Sequence, residues 1–297
     1  VAESAGGASA PPPGRRLGLS HTQLAGALED QADGAVSLPL LSSTACEMIL
    51  QYCDTVWRGL TRVASNSKRR RSSQSDAAGE GMWSQDESSE EGVLPTSAEQ
   101  DQETLAQELL GRPLEMDAAG LGPLVSSLMF LIVDPLADMA FAKELGGGKL
   151  DWRHGFIVGY AQDKTLGATR TSLVRHTDDS EVTVNLCLGR DFSGGEVRLL
   201  GLRGEDRVDQ EDYCPEVGRG LVHIGRQIHE VTPVTGGERF ALILWARAWG
   251  STRAQVCPCC WMNRRREQGG SDGRASRTAS NQECGGSYDC ICGPQWN

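Results

Sequence analysis

His176-Thr177-Asp178, with His229 fifty-one residues after Asp178 and Arg239 ten residues after His229, is a set of side chains whose types and order suit a metal. Two imidazoles and one carboxylate are what a non-haem Fe(II) site uses when coordination positions must stay open for other ligands. In an extended strand residues i and i+2 share a face, so His176 and Asp178 can point into one cavity while Thr177 points away. The third ligand has to come from a distant strand, and His229 suits that role. His223 competes for it, but its distance from Arg239 fits the pattern less well. It reads either as a satisfied strand histidine or as a group that steadies the site.

Arg239 opens an otherwise apolar run, Phe240 to Trp245. A guanidinium there needs a reason, and a bound carboxylate supplies one through a bidentate pair. Iron ligands plus a carboxylate-binding arginine point to an oxygenase that consumes a dicarboxylic co-substrate. Tyr160, sixteen residues before His176, either donates its hydroxyl to the same carboxylate or packs as a core tyrosine. Asp179 falls on the outward face, and His21 and His154 have no evident partners.

The elements that must position these groups change character along the chain. Residues 1–35 are rich in Ala, Gly, Ser and Pro, which predicts disorder. Residues 36–65 form an N-terminal helical segment: Cys46, Ile49, Leu50, Cys53, Val56, Trp57, Leu60 and Val63 recur at helical spacing, and Thr44 with Glu47 has capping-box spacing. Residues 66–104 read as a disordered linker, in which the block Lys68-Arg69-Arg70-Arg71 is either a nuclear import signal or a solvated loop. Residues 105–149 form a helical support region, from Leu105 to Leu110 and from Leu121 to Phe141, with Pro135 expected to kink or split it.

After Gly146-Gly147-Gly148 the period becomes that of strands. Phe156–Tyr160, Glu181–Leu188, Glu196–Leu200, Gly220–Ile224 and Arg239–Trp245 are short β-rich runs separated by Gly, Asp, Pro and Ser clusters. The fold class expected is α+β with a mainly β core: a jelly-roll or cupin-like double sheet over residues 150–250, backed by N-terminal helices. The acidic insert Gly204–Asp212 is expected to be a solvated loop.

Composition narrows the partners. The 297 residues carry a formal net charge of −11, which argues against broad adhesion to nucleic acid. No run approaches the roughly 20 apolar residues of a membrane helix; the greasiest patch, Leu124 to Val133, stops at Asp134-Pro135. The small, Pro-rich segment from Val1 lacks the layout of a secretory signal. Of ten cysteines, Cys46, Cys53, Cys187 and Cys214 are scattered and the other six lie between Cys257 and Cys292. That is unlike a stapled secreted domain, so an intracellular protein, cytoplasmic or nuclear, is expected. Residues 251–297 form a Cys-rich tail with enough thiolates for a structural zinc, or else unligated thiols.

At these motifs the chain resembles the 2-oxoglutarate- and Fe(II)-dependent dioxygenases, in the prolyl and lysyl hydroxylase branch. His176-Thr177-Asp178, Gly194-Gly195-Glu196 and His229 to Arg239 follow that branch's order. Gly111–Met116, Pro135-Leu136-Ala137, Gly146–Asp151 and Asp179–Leu186 are similar to the family of 2-oxoglutarate and iron-dependent oxygenase domain-containing protein 2, over roughly half the chain. The resemblance implies a double-stranded β-helix and Fe(II) on His176, Asp178 and His229. It also implies 2-oxoglutarate on Arg239 and Tyr160, ascorbate as accessory reductant, and dioxygen as co-substrate. Hydroxylation of a protein side chain, with release of succinate and CO2, is the activity expected. The alternative is a non-catalytic interaction protein built on the same barrel.

Overall fold

The computed structural model describes residues 21–77 and 112–250, apart from 164, 204 and 206–209. Its spine is a long strand near the end of the described chain, β13 (Val234–Arg247), whose middle is apolar on both faces. One flank pairs with β4 (Trp152–Ala161) and the other with β7 (Val182–Gly189), both antiparallel. The larger sheet runs β1 (Glu29–Ala32), β2 (Ala35–Pro39), β11 (Arg219–Ile224), β7, β13, β4, β3 (Leu114–Glu115). β5 (Ala168–Arg170) pairs parallel with β4, and β8 (Phe192–Gly194) pairs with the start of β13. A second sheet runs β10 (Glu211–Tyr213), β9 (Val197–Leu202), β12 (Gln227–Val231), β6 (Leu173–His176).

The chain steps repeatedly from one sheet to the other, as from β6 to β7 and from β11 through β12 to β13. This is the double-stranded β-helix expected, and among the described residues every strand pairing but that of β4 with β5 is antiparallel. Side-chain alternation sorts the residues of the central strands into two layers. Phe240, Leu242 and Leu244 of β13 join Val182, Val184 and Leu186 of β7 beneath the helices. Ala241 and Ile243 join Val158, Tyr160 and Val231 between the sheets.

The helix α2 (Ser43–Ala77) covers the outer layer. Its Cys46, Ile49, Leu50, Cys53 and Trp57 are buried at the predicted spacing. Trp57 packs its ring 5.5 Å from that of Phe240. The backbone of Gly167 passes under the same indole, where a β-carbon would stand 2.8 Å from the ring. Arg190 fastens the helix to the barrel by binding both Asp54 and Glu238 at 2.6 Å.

Several boundaries differ from those read in the sequence. The stretch 21–35, expected to be disordered, carries the helix α1 (His21–Ala27) and the hairpin of β1 and β2. β2 is held because it extends the large sheet along β11, with Val36 and Leu38 buried. The segment 36–65 is therefore not wholly helical. Ser42, rather than Thr44, caps α2: its hydroxyl accepts from the Ala45 amide. The helix runs through the basic block to Ala77, so the expected linker starts later than residue 66.

In the support region α3 (Gly122–Leu128), a π-helical turn (Met129–Val133) and α4 (Asp134–Ala140) follow without a break, with α5 (Ala142–Leu145) after them. Pro135 cannot donate an amide hydrogen and crowds the carbonyl four residues back. The preceding turn widens instead of breaking, with the Asp134 amide donating to Met129. By length and apolarity Gly122–Ala140 would suit a membrane span, contrary to the sequence reading. Of this segment Val125, Leu128, Met129, Val133, Leu136 and Ala137 are buried in the core, while Phe130 and Leu131 are exposed. Part of the acidic insert is strand: Glu211 and Asp212 pair with Leu199 and Arg198. The predicted helix Leu105–Leu110 and the Cys-rich tail lie outside the described residues.

Candidate metal centre

β6 and β12 are neighbours in the smaller sheet, and their register sets His176 directly opposite His229. The two rings lie 4.3 Å apart, centroid to centroid. Asp178 completes the group, although it does so from beyond the end of β6 and not from within a strand. Its amide donates to the Gly225 carbonyl in the turn between β11 and β12, and this bond holds the carboxylate inward. One ligand atom from each of His176, Asp178 and His229 lies within 4.8 Å of the others. Nε2 of His176 is 3.5 Å from Oδ1 of Asp178, and Nε2 of His229 is 3.8 Å from Oδ2.

The ring orientations are fixed from behind. Nδ1–H of His176 donates to the Val174 carbonyl and Nδ1–H of His229 to the Gln227 carbonyl, at 2.8 and 3.0 Å. Carbonyls only accept, so these bonds place the proton on Nδ1 and leave each Nε2 lone pair for a metal. Burial alone would push the Asp178 carboxyl up. The contacts with His229 and His176 and the hydrogen bond from Thr183 override it and hold the group well below the usual carboxylate range. Burial holds His229 below its ordinary value. A permanently ionised carboxylate beside a neutral imidazole is a donor set that suits a divalent ion, and the three residues fit iron.

The cluster opens on a cavity of about 230 Å³. Phe156, Leu173, Val231, Ile243 and Trp245 give it an apolar wall, and Tyr160, Thr183 and Asn185 line it as well. Arg239 stands opposite Tyr160 across β4 and β13, with its guanidinium carbon 5.4 Å from the ring centroid. It is fully enclosed. One nitrogen, Nη2, donates to Oδ1 of Asn185 at 3.2 Å, while Nε and Nη1 have no partner among the described residues. The nearby thiol of Cys187 is a weak acceptor at best. A buried donor left unpaired costs about 1–3 kcal/mol, and more when charged. Arg239 therefore sits one layer behind the cavity wall with donors to spare. Burial, outweighing the opposing charges of Arg239 and Arg170, raises the Tyr160 pKa and keeps its hydroxyl a donor.

Comparison with known proteins agrees with this geometry. The chain is 36% identical over 140 residues to 2-oxoglutarate and iron-dependent oxygenase domain-containing protein CP2 of Arabidopsis thaliana, a match covering 45% of this chain and 34% of that one. It is 36% identical over 162 residues to the domain-containing protein 2 of Mus musculus, covering 50% and 44%. The chain is a relative of the 2-oxoglutarate and iron-dependent oxygenase domain-containing proteins. It spans less than half the length of either relative. Among solved structures, an oxidoreductase of the 2OG-Fe(II) oxygenase family from Burkholderia pseudomallei aligns at 22% identity and a TM-score of 0.34, over 42% of this chain and 57% of that one. No family model matches.

Three further residues belong to the candidate site without having been singled out in the sequence. Thr183 donates to Asp178, Asn185 accepts from Arg239, and Arg170 lines the cavity. The first two were readable as polar interruptions, two residues apart, in an otherwise apolar strand. Arg170 lies in a Gly-Ala-Thr-Arg-Thr-Ser stretch that looks like any loop. His223 is behind the cluster, its ring 4.6 Å from that of His229 and its Nε2 3.8 Å from Asp178. Asp179 faces outward to Arg247, and His154 packs among Trp152, Phe156 and Trp245.

Proposed function

We propose that the protein is a 2-oxoglutarate- and Fe(II)-dependent dioxygenase that hydroxylates an unactivated C–H bond of a protein side chain, in the manner of prolyl and lysyl hydroxylases. The observation that carries this reading is the pairing, at one cavity, of a His–Asp–His cluster with a buried arginine whose donors are only partly used. When bound, the iron supplies the oxidising chemistry: dioxygen is consumed, 2-oxoglutarate is decarboxylated to succinate and CO2, and one oxygen atom enters the substrate C–H bond.

The protein's own residues bind and orient. His176, Asp178 and His229 hold the ion from one side and leave room for a chelating keto acid and dioxygen. Arg239 takes the far carboxylate of 2-oxoglutarate, which reaches it between Tyr160 and Asn185, and the Tyr160 hydroxyl donates to the same group. Phe156, Ile243 and Trp245 keep water from the reacting end. Ascorbate serves as accessory reductant, as the resemblance implies. The protein-substrate assignment is supported by the similarity of the motifs to prolyl and lysyl hydroxylases.

Succinate release from 2-oxoglutarate and Fe(II), measured without added substrate, tests the reading. His176→Ala and Asp178→Ala should abolish it, and calorimetry should show 2-oxoglutarate binding to the Mn(II)-loaded wild type. If the wild type binds neither metal nor keto acid, the barrel is an interaction module and not an enzyme.

A further inference from the structure

Cations in the described part of the chain are mostly spoken for. Arg153, Arg190, Arg198, Arg219, Arg226 and Arg247 each make a salt bridge to a carboxylate. Arg203 has contacts of its own. The other lysines and arginines whose burial is described are exposed, with two exceptions: Arg239 and Arg170. Neither has a carboxylate partner among the described residues; Arg170 lines the cavity of the metal cluster and Arg239 lies one layer behind its wall. Arg239 has a use in the reading above. Arg170 has none.

Arg170 ends β5, which lies parallel against β4 in a register that sets it beside Tyr160. It is half-buried and lines the cavity together with the metal cluster. Tyr160 and His176 line the same cavity, so Arg170 shares it with both the co-substrate end and the metal cluster. The other charged groups of the lining are His176, Asp178 and His229, all committed to the metal. Among the described residues, a ligand entering here meets a largely apolar wall, a few neutral polar groups, one free cation and no free anion.

Two carboxylates come in with 2-oxoglutarate, and both already have partners in that reading: Arg239 for the far one, the metal for the near one. A third cation, partly open to solvent, faces whatever approaches from outside. We propose that Arg170 is a specificity-determining residue that binds a carboxylate of the substrate, so that the hydroxylated segment carries an Asp or Glu close to an apolar target side chain. This rests on the dioxygenase reading for what occupies the rest of the cavity. An ion pair at a cavity of this kind is partly desolvated, which makes a charge-assisted bond selective as well as attractive.

The experiment uses the full chain loaded with Mn(II) and 2-oxoglutarate, and fluorescein-labelled short peptide pools that differ only in carrying Glu, Gln or Lys at the positions flanking a mixed Pro, Lys, Leu or Ala centre. Fluorescence anisotropy should show the Glu pool binding about tenfold or more tighter than the Gln pool. Arg170→Gln should erase that preference, and Arg170→Glu should turn it toward the Lys pool. Calorimetry run in parallel should show 2-oxoglutarate binding unchanged in Arg170→Gln and lost in Arg239→Ala. Should either variant at 170 unfold by circular dichroism, Arg170→Lys, which keeps the charge, is expected to retain the Glu preference. Lack of a Glu preference in the wild type overturns the proposal, as does loss of 2-oxoglutarate binding in Arg170→Gln, which would make the residue a second co-substrate clamp. If Arg239→Ala binds 2-oxoglutarate normally, the co-substrate reading fails, and the pools still decide Arg170.

Discussion

Thr183 donates its hydroxyl hydrogen to Oδ2 of Asp178 over 2.7 Å, and both residues are enclosed by the barrel. Since Thr183 is the donor in that bond, the 2.7 Å contact between its oxygen and Ser180 Oγ must run from Ser180 to Thr183. A relay of two hydroxyls thus fixes one carboxylate oxygen from behind and leaves Oδ1 toward His176. Valine at 183 keeps the shape and deletes the donor. Thr183→Val is expected to weaken metal binding about 10–100-fold, the usual effect of removing a group that orients a ligand, while Thr183→Ser restores most of it. Competition against a chelator with Co(II) reads the affinity. Equal affinity in Thr183→Val and wild type would remove Thr183 from the site.

Arg239 offers donors that no described residue uses, so its environment can be altered without touching it. Asn185→Asp would place a carboxylate against the guanidinium and satisfy it internally. The 2-oxoglutarate affinity of the Mn(II)-loaded protein is then expected to fall about tenfold or more, because the ligand must displace a charged partner in place of an amide. Arg239→Lys, which keeps charge and loses the fork, should also bind more weakly. Calorimetry measures both. Unchanged affinity in Asn185→Asp would mean that the keto acid is held elsewhere.

The reach of the sequence can be judged from these same residues. His176, Asp178 and His229 were legible because a donor set is a matter of residue type, and type is written in the chain. Their meeting is a matter of register between β6 and β12, which no local pattern encodes. His176 and Asp178 do face one cavity, but not by sharing a strand face: the strand ends at His176 and a turn at Gly225 holds Asp178. Strands such as β7 and β13 were legible because they are long and apolar. β1, β2 and β10 were not, because they are short and stabilised almost wholly by pairing with distant partners. Arg170 was invisible for a related reason: its lack of a carboxylate partner among the described residues is something only the folded surroundings reveal.

His223 should make the metal-free protein acid-sensitive. Burial first, and then the neighbouring His229, push its pKa down to about 4, against about 6.5 in an unfolded chain. Above pH of about 6.5 the imidazole is neutral in both states and the full stability is present. As the pH falls through that value the unfolded chain takes up the proton and the folded one does not, so stability is lost until the folded group titrates near 4. The loss is on the order of a few kcal/mol across that window. His229, also lowered by burial, acts in the same sense. His176 acts in the opposite one: burial pushes it down, but the hydrogen bond and charge of Asp178 raise it overall, so its contribution is present at low pH and fades as the pH rises. Urea midpoints of the metal-free protein at pH values of about 7 and 5 should therefore fall more for wild type than for His223→Gln. An identical fall in both would show that His223 is not the buried base responsible.

Gly225 couples the stability of the barrel to the position of Asp178. Its carbonyl accepts from the Asp178 amide and its own amide donates to the Glu181 carbonyl, each at 3.0 Å. A β-carbon at this position would stand 1.7 Å from the Ser180 carbonyl oxygen, which is backbone and cannot swing aside. Alanine must therefore push the 178–181 segment away from β12 and break one or both of those bonds. Overpacking of this kind costs about 1–3 kcal/mol, and each lost backbone bond adds roughly 1 kcal/mol. At Gly236 a β-carbon would meet only Ser193 Oγ, at 2.8 Å, the free end of a side chain that can rotate. Gly225→Ala is expected to lower the melting temperature by roughly 5–10 °C and to lose metal affinity with it, whereas Gly236→Ala should leave both near the wild-type values. Differential scanning calorimetry and chelator competition on the two variants give the comparison. Metal binding by Gly225→Ala as tight as that of Gly236→Ala would show that Asp178 is held by something other than this turn.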